Sequence, residues 1–161
     1  MHDLARVWDL VDKVGVGMFV TVSGADLRAR PLEARPDRAG GVIWFVIDRR
    51  GAKDDEIAAR SACCLTFVHA SEKAYLSLTG HAETWSDPTM AGQIWRRTDD
   101  VWWPDGPHDP NVLVMRFTPT TAELWDGPAS AAVAAFEFAK ARITGDKPDL
   151  GECRKATIAM R

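Results

Sequence analysis

The sequence predicts a mainly β domain, a small antiparallel barrel or closed sheet with helices at its periphery. Three observations predict it. About seven segments carry strand patterning, and the connections between them are mostly too short for parallel crossovers. Gly80 interrupts the longest of these segments, as a bend that curls a sheet requires. Helical periodicity is confined to a few stretches, so the helices flank a sheet and do not alternate with its strands.

The 161 residues suit a single domain, 1–161, with a core over about 4–145 and a loosely ordered C-terminal tail at 146–161. Hydrophobic residues make up 46% and charged residues 27%, the balance of an ordinary globular chain. A net charge of -3 speaks against nucleic acid or a membrane surface as a general partner. No apolar run approaches the ~20 residues a bilayer span needs, and MHDLARVWDLVDKV reads as an amphipathic helix rather than a signal peptide. A cytoplasmic location is expected. Cys63 and Cys64 are strand neighbours on opposite faces, and Cys153 stands far away, so all three read as small hydrophobes. Trp44, Trp102, Trp103 and Trp125 could line a pocket or a subunit interface, or simply fill the core.

In chain order, Leu4, Val7, Trp8 and Val11 share one face of a helix over 3–14, which Gly15 and Gly17 end. MFVTV, Met18 to Val22, is a strand. LRARPLE, Leu27 to Glu33, answers it across the turn Ser23-Gly24-Ala25-Asp26. Pro31 donates no ladder hydrogen bond, which places that second strand at an edge. A loop from Ala34 to Gly40 leads to the apolar strand Val42 to Ile47. Further strands are expected at Ala62 to His69, Lys73 to Trp85, Asn111 to Phe117 and Thr121 to Trp125, the last two joined by a turn at Thr118-Pro119-Thr120. Asp87-Pro88 is a capping carboxylate followed by a first-turn proline, so a helix covers Thr89 to Arg96. A proline-rich loop, Asp99 to Pro110, carries two indoles, and an alanine-rich helix runs from Ser130 to Ile143.

One stretch carries most of the chemistry, GGVIWFVIDRRGAKDDEIAAR, from Gly40 to Arg60. Its strand runs into a basic turn and then a helical turn opened by Lys53. This arrangement could bring cations and free backbone N–H groups to one phosphate, with Phe45 facing the flat group the phosphate carries. The alternative is a plain strand-turn-helix with solvated arginines. No GxSxG, HExxH, P-loop or GxGxxG after a strand is present, and His2, His69, His81 and His108 show no metal-ligand spacing.

The order MFVTV, RARPL, GVIWFV, AKDDEIA, YLSLTGHAE, DPTMAGQIW, VWWPDGPHDP and AELWD resembles the general-stress-protein branch of the pyridoxamine 5'-phosphate oxidase-like FMN-binding split barrels. The resemblance implies a six-stranded antiparallel split barrel, a homodimer, and FMN in clefts at the subunit interface. It puts Arg30, Pro31 and Leu32 where the family's arginine and backbone approach the flavin phosphate and ring. Trp44, Phe45 and Val46 match the strand beside the isoalloxazine, and Lys53 matches the lysine that pairs with the phosphate. Trp102 and Trp103 match an aromatic pair that reaches the flavin of the other subunit, and Trp125 a further tryptophan of the pattern. Gly51 stands where relatives carry a hydroxyl, and Arg49 and Arg50 beside it either compensate as cations or are simply exposed. Asp54, Asp55 and Glu56 crowd the same turn.

FMN needs charge neutralisation at one end and a flat apolar cleft at the other, which these residue types supply. The function implied is an oxidoreductase that passes electrons from NADH or NADPH through FMN to a small acceptor, in a stress response. A non-catalytic FMN store or sensor is one alternative. A reductase of the same fold using the deazaflavin F420 is the other.

Overall fold

The amphipathic start forms helix α1 (His2–Val14), which buries Val7, Trp8, Leu10 and Val11. Strands β1 (Val16–Ser23) and β2 (Asp26–Glu33) form the expected hairpin, paired along their whole length. The strands that follow are β3 (Arg35–Asp37), β4 (Val42–Asp48), β5 (Ala62–His69), β6 (Ala74–Trp85), β7 (Val112–Asp126) and β8 (Arg154–Ala159). Helices α2 (Lys53–Ala59) and α3 (Pro88–Ile94) sit between strands, and α4 (Ala131–Thr144) follows β7. These coordinates are a computed structural model, which describes residues 2–127, 131–145 and 154–160. Among them no helix is long and apolar enough to cross a membrane.

All pairings are antiparallel, in the order β2-β1-β5-β6-β7-β4-β3, with β8 added alongside β7. The fold is a split barrel. The strands at the two ends of its main path, β2 and β3, are consecutive in the chain and separated by Ala34 alone, whose N–H donates to the Gly15 carbonyl at 2.7 Å. One stretch of backbone therefore serves both ends of the sheet and curls it without closing the ladder. The edge position of β2 is what Pro31 requires.

Inside, Phe19 meets Phe45 and Phe117 edge-on, each at 5.7 Å between ring centroids. A second, smaller core lies on the other face of β4 and β7, where Val46, Val112 and Val114 pack with Ala91 of α3 and Trp103. Asp87 caps α3 as expected, accepting from Met90 N at 2.9 Å.

The structure corrects three expectations. The segments 111–117 and 121–125 are one strand, because the ladder keeps Pro119 opposite Gly80 and absorbs the extra residue, Thr120, as a bulge instead of turning. The register shifts between Thr79 and Gly80, and a Cβ at residue 80 would lie 2.2 Å from the Thr118 carbonyl oxygen. The loop 34–40 contains β3, which pairs with β4. The expected tail contains a strand: β8 pairs with β7, and Met160 after it joins the main core; residues 146–153 of that tail lie outside the described residues. Against the six-stranded expectation, the sheet thus carries two further strands.

Candidate functional site

Six of the expected site residues share one cleft. Pro31 and Leu32 of β2, Val46 of β4, Lys53 at the start of α2, and Trp102 and Trp103 line a hollow of about 310 Å³. Glu33, Arg35, Asp48 and Asp99 complete its polar wall. The volume falls at the lower end of small-molecule sites, which span ~300–1,000 Å³.

The local fold explains who arrives. Alternation along β4 sends Ile43, Phe45 and Ile47 into the main core, while Val46 joins the second core that borders the cleft. Phe45 is therefore a correction: its ring is 0% exposed, packed on Phe19, and does not face a ligand. Trp44 lies in a different hollow, about 550 Å³, with Asp37, Met90, Ile94 and Trp95 among its neighbours. Its ring meets Trp85 edge-on at 5.9 Å. Trp125 lines neither hollow; it sits opposite Tyr75 with the Lys155 ammonium 5.2 Å from its ring centre.

The indole pair hangs from Asp99, whose carbonyl accepts from Trp102 N at 2.9 Å and Trp103 N at 3.0 Å. Trp102 is 72% exposed and Trp103 only 6%. Asp99 is in turn fixed by a buried ion pair, with Arg35 Nη2 at 2.7 and 2.8 Å from its carboxylate oxygens and Arg96 N at 2.8 Å. Arg35 borders both hollows, and burial pushes its pKa down against the pull of Asp99 and Glu33. Arg35 Nε and Trp103 Nε1 are buried with no hydrogen-bond partner among the described residues. Sequence reasoning missed Arg35 and Asp99. Asp99 does stand three residues before Trp102, the spacing of a tight helical turn, but nothing in the pattern around Arg35 marks it.

The cations divide into engaged and free. Arg50 is engaged, its Nε and Nη2 lying 2.9 and 2.5 Å from Asp48, and these bonds hold the Asp48 carboxyl below its ordinary range. Arg30 is the second correction: its Nη1 donates to Thr21 at 2.7 Å and its Nη2 to Glu56 at 2.6 Å, so it does not offer the free fork expected of it. Lys53 is different. Among the described residues it has no hydrogen bond or ion pair, and burial, then the neighbouring Arg30 charge, lower its pKa. Its Nζ occupies the space left by Gly51, only 2.7 Å from where a Cβ at that position would stand. A hydroxyl side chain there would push the ammonium aside. Gly51 thus gives the lysine its seat.

A half-buried ammonium with no contact ion pair among the described residues at one end, and indole and aliphatic side chains beside it, form a place for a flat molecule with an anionic end.

Comparisons with known proteins agree with the architecture. The family described as Pyridoxamine 5'-phosphate oxidase like matches residues 2–149. No curated protein matches the sequence. Among solved structures, a general stress protein 26 from Jannaschia sp. CCS1 is similar at 28% identity and a TM-score of 0.74, over 99% of both chains. A relative of general stress protein 26 from Clostridium acetobutylicum is 16% identical, with a TM-score of 0.73 over 98% of this chain and 94% of that one. A general stress FMN/FAD binding protein from Xanthomonas citri is 23% identical, with a TM-score of 0.69 over 78% and 90%. With nearly its whole length matched and its split barrel in place, the chain belongs to the pyridoxamine 5'-phosphate oxidase like family.

Proposed function

We propose that this protein binds FMN in the cleft beneath Trp102 and Trp103 and acts as an oxidoreductase. The observation that carries the reading is Lys53, a half-buried ammonium with no ion pair among the described residues, at one end of a slot with indole and aliphatic side chains along it. Leaving a cation so placed costs free energy that an incoming phosphate would recover. The Xanthomonas citri protein described as FMN/FAD binding supports flavin as the ligand.

The residues present fit such a group in part. Lys53 would donate to the phosphate, and Pro31, Leu32 and Val46 would lie along the ring. Trp103 would shut out water, held in place through the Asp99 carbonyl and the Arg35 ion pair. Arg30 does not fit as a free phosphate donor. Bound flavin would supply two-electron chemistry, accepting reducing equivalents from NADH or NADPH and handing them to a small acceptor. The cleft of one chain is small for the whole cofactor, so a second copy completing it accords with the reading.

Protein purified without added flavin gives the test. A yellow preparation whose released cofactor has the mass of FMN, bleached by NADH or NADPH without oxygen and recoloured by an acceptor, is the expected result. Protein that is colourless and takes up no FMN on titration overturns the reading. A yellow protein that neither nicotinamide bleaches leaves binding intact and removes the enzyme.

A further inference from the structure

Glu56 is a buried carboxylate, 7% exposed, that the flavin reading does not use. The inference drawn from it rests on that reading. Thr21 donates its hydroxyl to Glu56 Oε2 at 2.6 Å. Arg30 Nη2 lies 2.7 and 2.6 Å from the two carboxylate oxygens, and Arg28 Nη1 donates to Oε1 at 2.9 Å. Arg30 also donates through Nη1 to Thr21, closing the network. Both carboxylate oxygens are filled. Burial alone would push the Glu56 carboxyl up, and the bonds from Thr21 and Arg30 outweigh it.

Drawing Arg30 away to meet an outside anion would strip a buried carboxylate of its best-placed partner, and breaking a buried pair by removing one member is strongly unfavourable. Lys53, whose pKa the Arg30 charge also helps to lower, has no such commitment. We propose that Glu56 is an internal anion that reserves Arg30 and Arg28 for itself and leaves Lys53 to meet the cofactor's phosphate alone, so that the cleft binds a phosphorylated flavin loosely enough to exchange it. The field at the phosphate end is then that of Arg28, Arg30 and Lys53 opposed by Glu56, with Asp48 and Asp54 also acting on Lys53. A protein built this way hands flavin on more readily than one with a fully cationic socket.

Titration of FMN and of riboflavin into flavin-free wild-type and Glu56→Gln proteins tests it. Glutamine keeps an acceptor for Arg30 and removes the charge. The expected result is FMN bound roughly tenfold more tightly by the variant, the size of one unit charge acting within a Debye length, with riboflavin affinity unchanged. FMN affinity that stays level or falls overturns the proposal. If the variant does not fold, a crystal structure of the wild-type protein with FMN decides the matter: Arg30 Nη2 remains on Glu56 and the phosphate meets Lys53. A guanidinium turned onto the phosphate overturns it. Wild-type protein that binds neither flavin removes the flavin reading and this proposal together, whereas FMN binding with no response to the substitution removes this proposal alone.

Discussion

Lys53 and Arg30 entered the sequence reading as equals, and the fold separates them. What distinguishes them is Glu56, three residues beyond Lys53, which looked like one more acid crowding the first turn of α2 beside Asp54 and Asp55. Helical geometry carries it under β2 to Arg30, a contact that no spacing along the chain announces. Phe45 was misread for a related reason. A strand buried on both faces is apolar throughout, so its sequence does not say which side chains look into the core and which toward a ligand. Pro31, Leu32, Val46, Lys53, Trp102 and Trp103 were legible because each needed only its element, not its rotamer, to be right. The difference between the two cations is measurable. Lys53→Ala should weaken FMN binding by about 1.5–3 kcal/mol, the range for a hydrogen bond to a charged group, while riboflavin binds as before. Fluorescence quenching of each flavin gives both affinities, and an equal loss for riboflavin would place the lysine away from the phosphate.

Among the elements, the hairpins were legible and the irregular pieces were not. Gly80 announced its bulge, but its counterpart in β7, Pro119, looked like a turn because proline usually stops a strand. β8 is short and lies at the chain's end, where a few alternating residues carry little signal until Ile158 and Met160 find the core. Helix α1 is held by its apolar face and also by charge. Arg6 donates to Asp126 at 3.0 and 3.1 Å and to Glu72 at 2.9 Å, and Lys13 also pairs with Glu72. The Lys13 bond first, then the Arg6 bond, pull the Glu72 pKa from 4.5 to about 2. A carboxyl lowered on folding stabilises the folded state above its unfolded pKa, and that contribution is lost as pH falls through the folded one. The docking of α1 should therefore weaken between about pH 4.5 and 2. Melting temperatures of wild type and Glu72→Gln should differ near neutral pH and converge across that window. Parallel curves would show that the pair is as weak as most exposed ion pairs.

For the molecule as a whole, the fold class was legible because strand count, connection length and one interior glycine all pointed the same way. Quaternary structure was not, since a single chain's pattern does not say whether an apolar outer face meets solvent or a second copy. The register supplies what the pattern lacks. On the outer face of the sheet, Met18 pairs with Pro31 and Thr66, and Val68 pairs with Tyr75, which pairs in turn with Trp125. Met18, Val68 and Tyr75 are 41, 57 and 45% exposed, an apolar row on a face where antiparallel strands ordinarily turn polar residues outward. A second copy laid on this face is the proposed homodimer, and a stable one needs ~800 Å² buried on each side. Met18→Lys combined with Val68→Lys separates this reading from a monomer with a sticky surface. Exposed substitutions change monomer stability by about 0.5 kcal/mol or less, whereas two lysines on each side of a shared face would bring four unpaired charges together. Wild-type protein should sediment as a dimer at micromolar concentration. The double variant should sediment as a monomer with an unchanged far-ultraviolet circular dichroism spectrum and little bound flavin, if the proposed partner completes each binding cleft. A wild-type monomer, or a variant that stays dimeric and yellow, would move the interface elsewhere and leave the cleft of a single chain to hold its ligand alone.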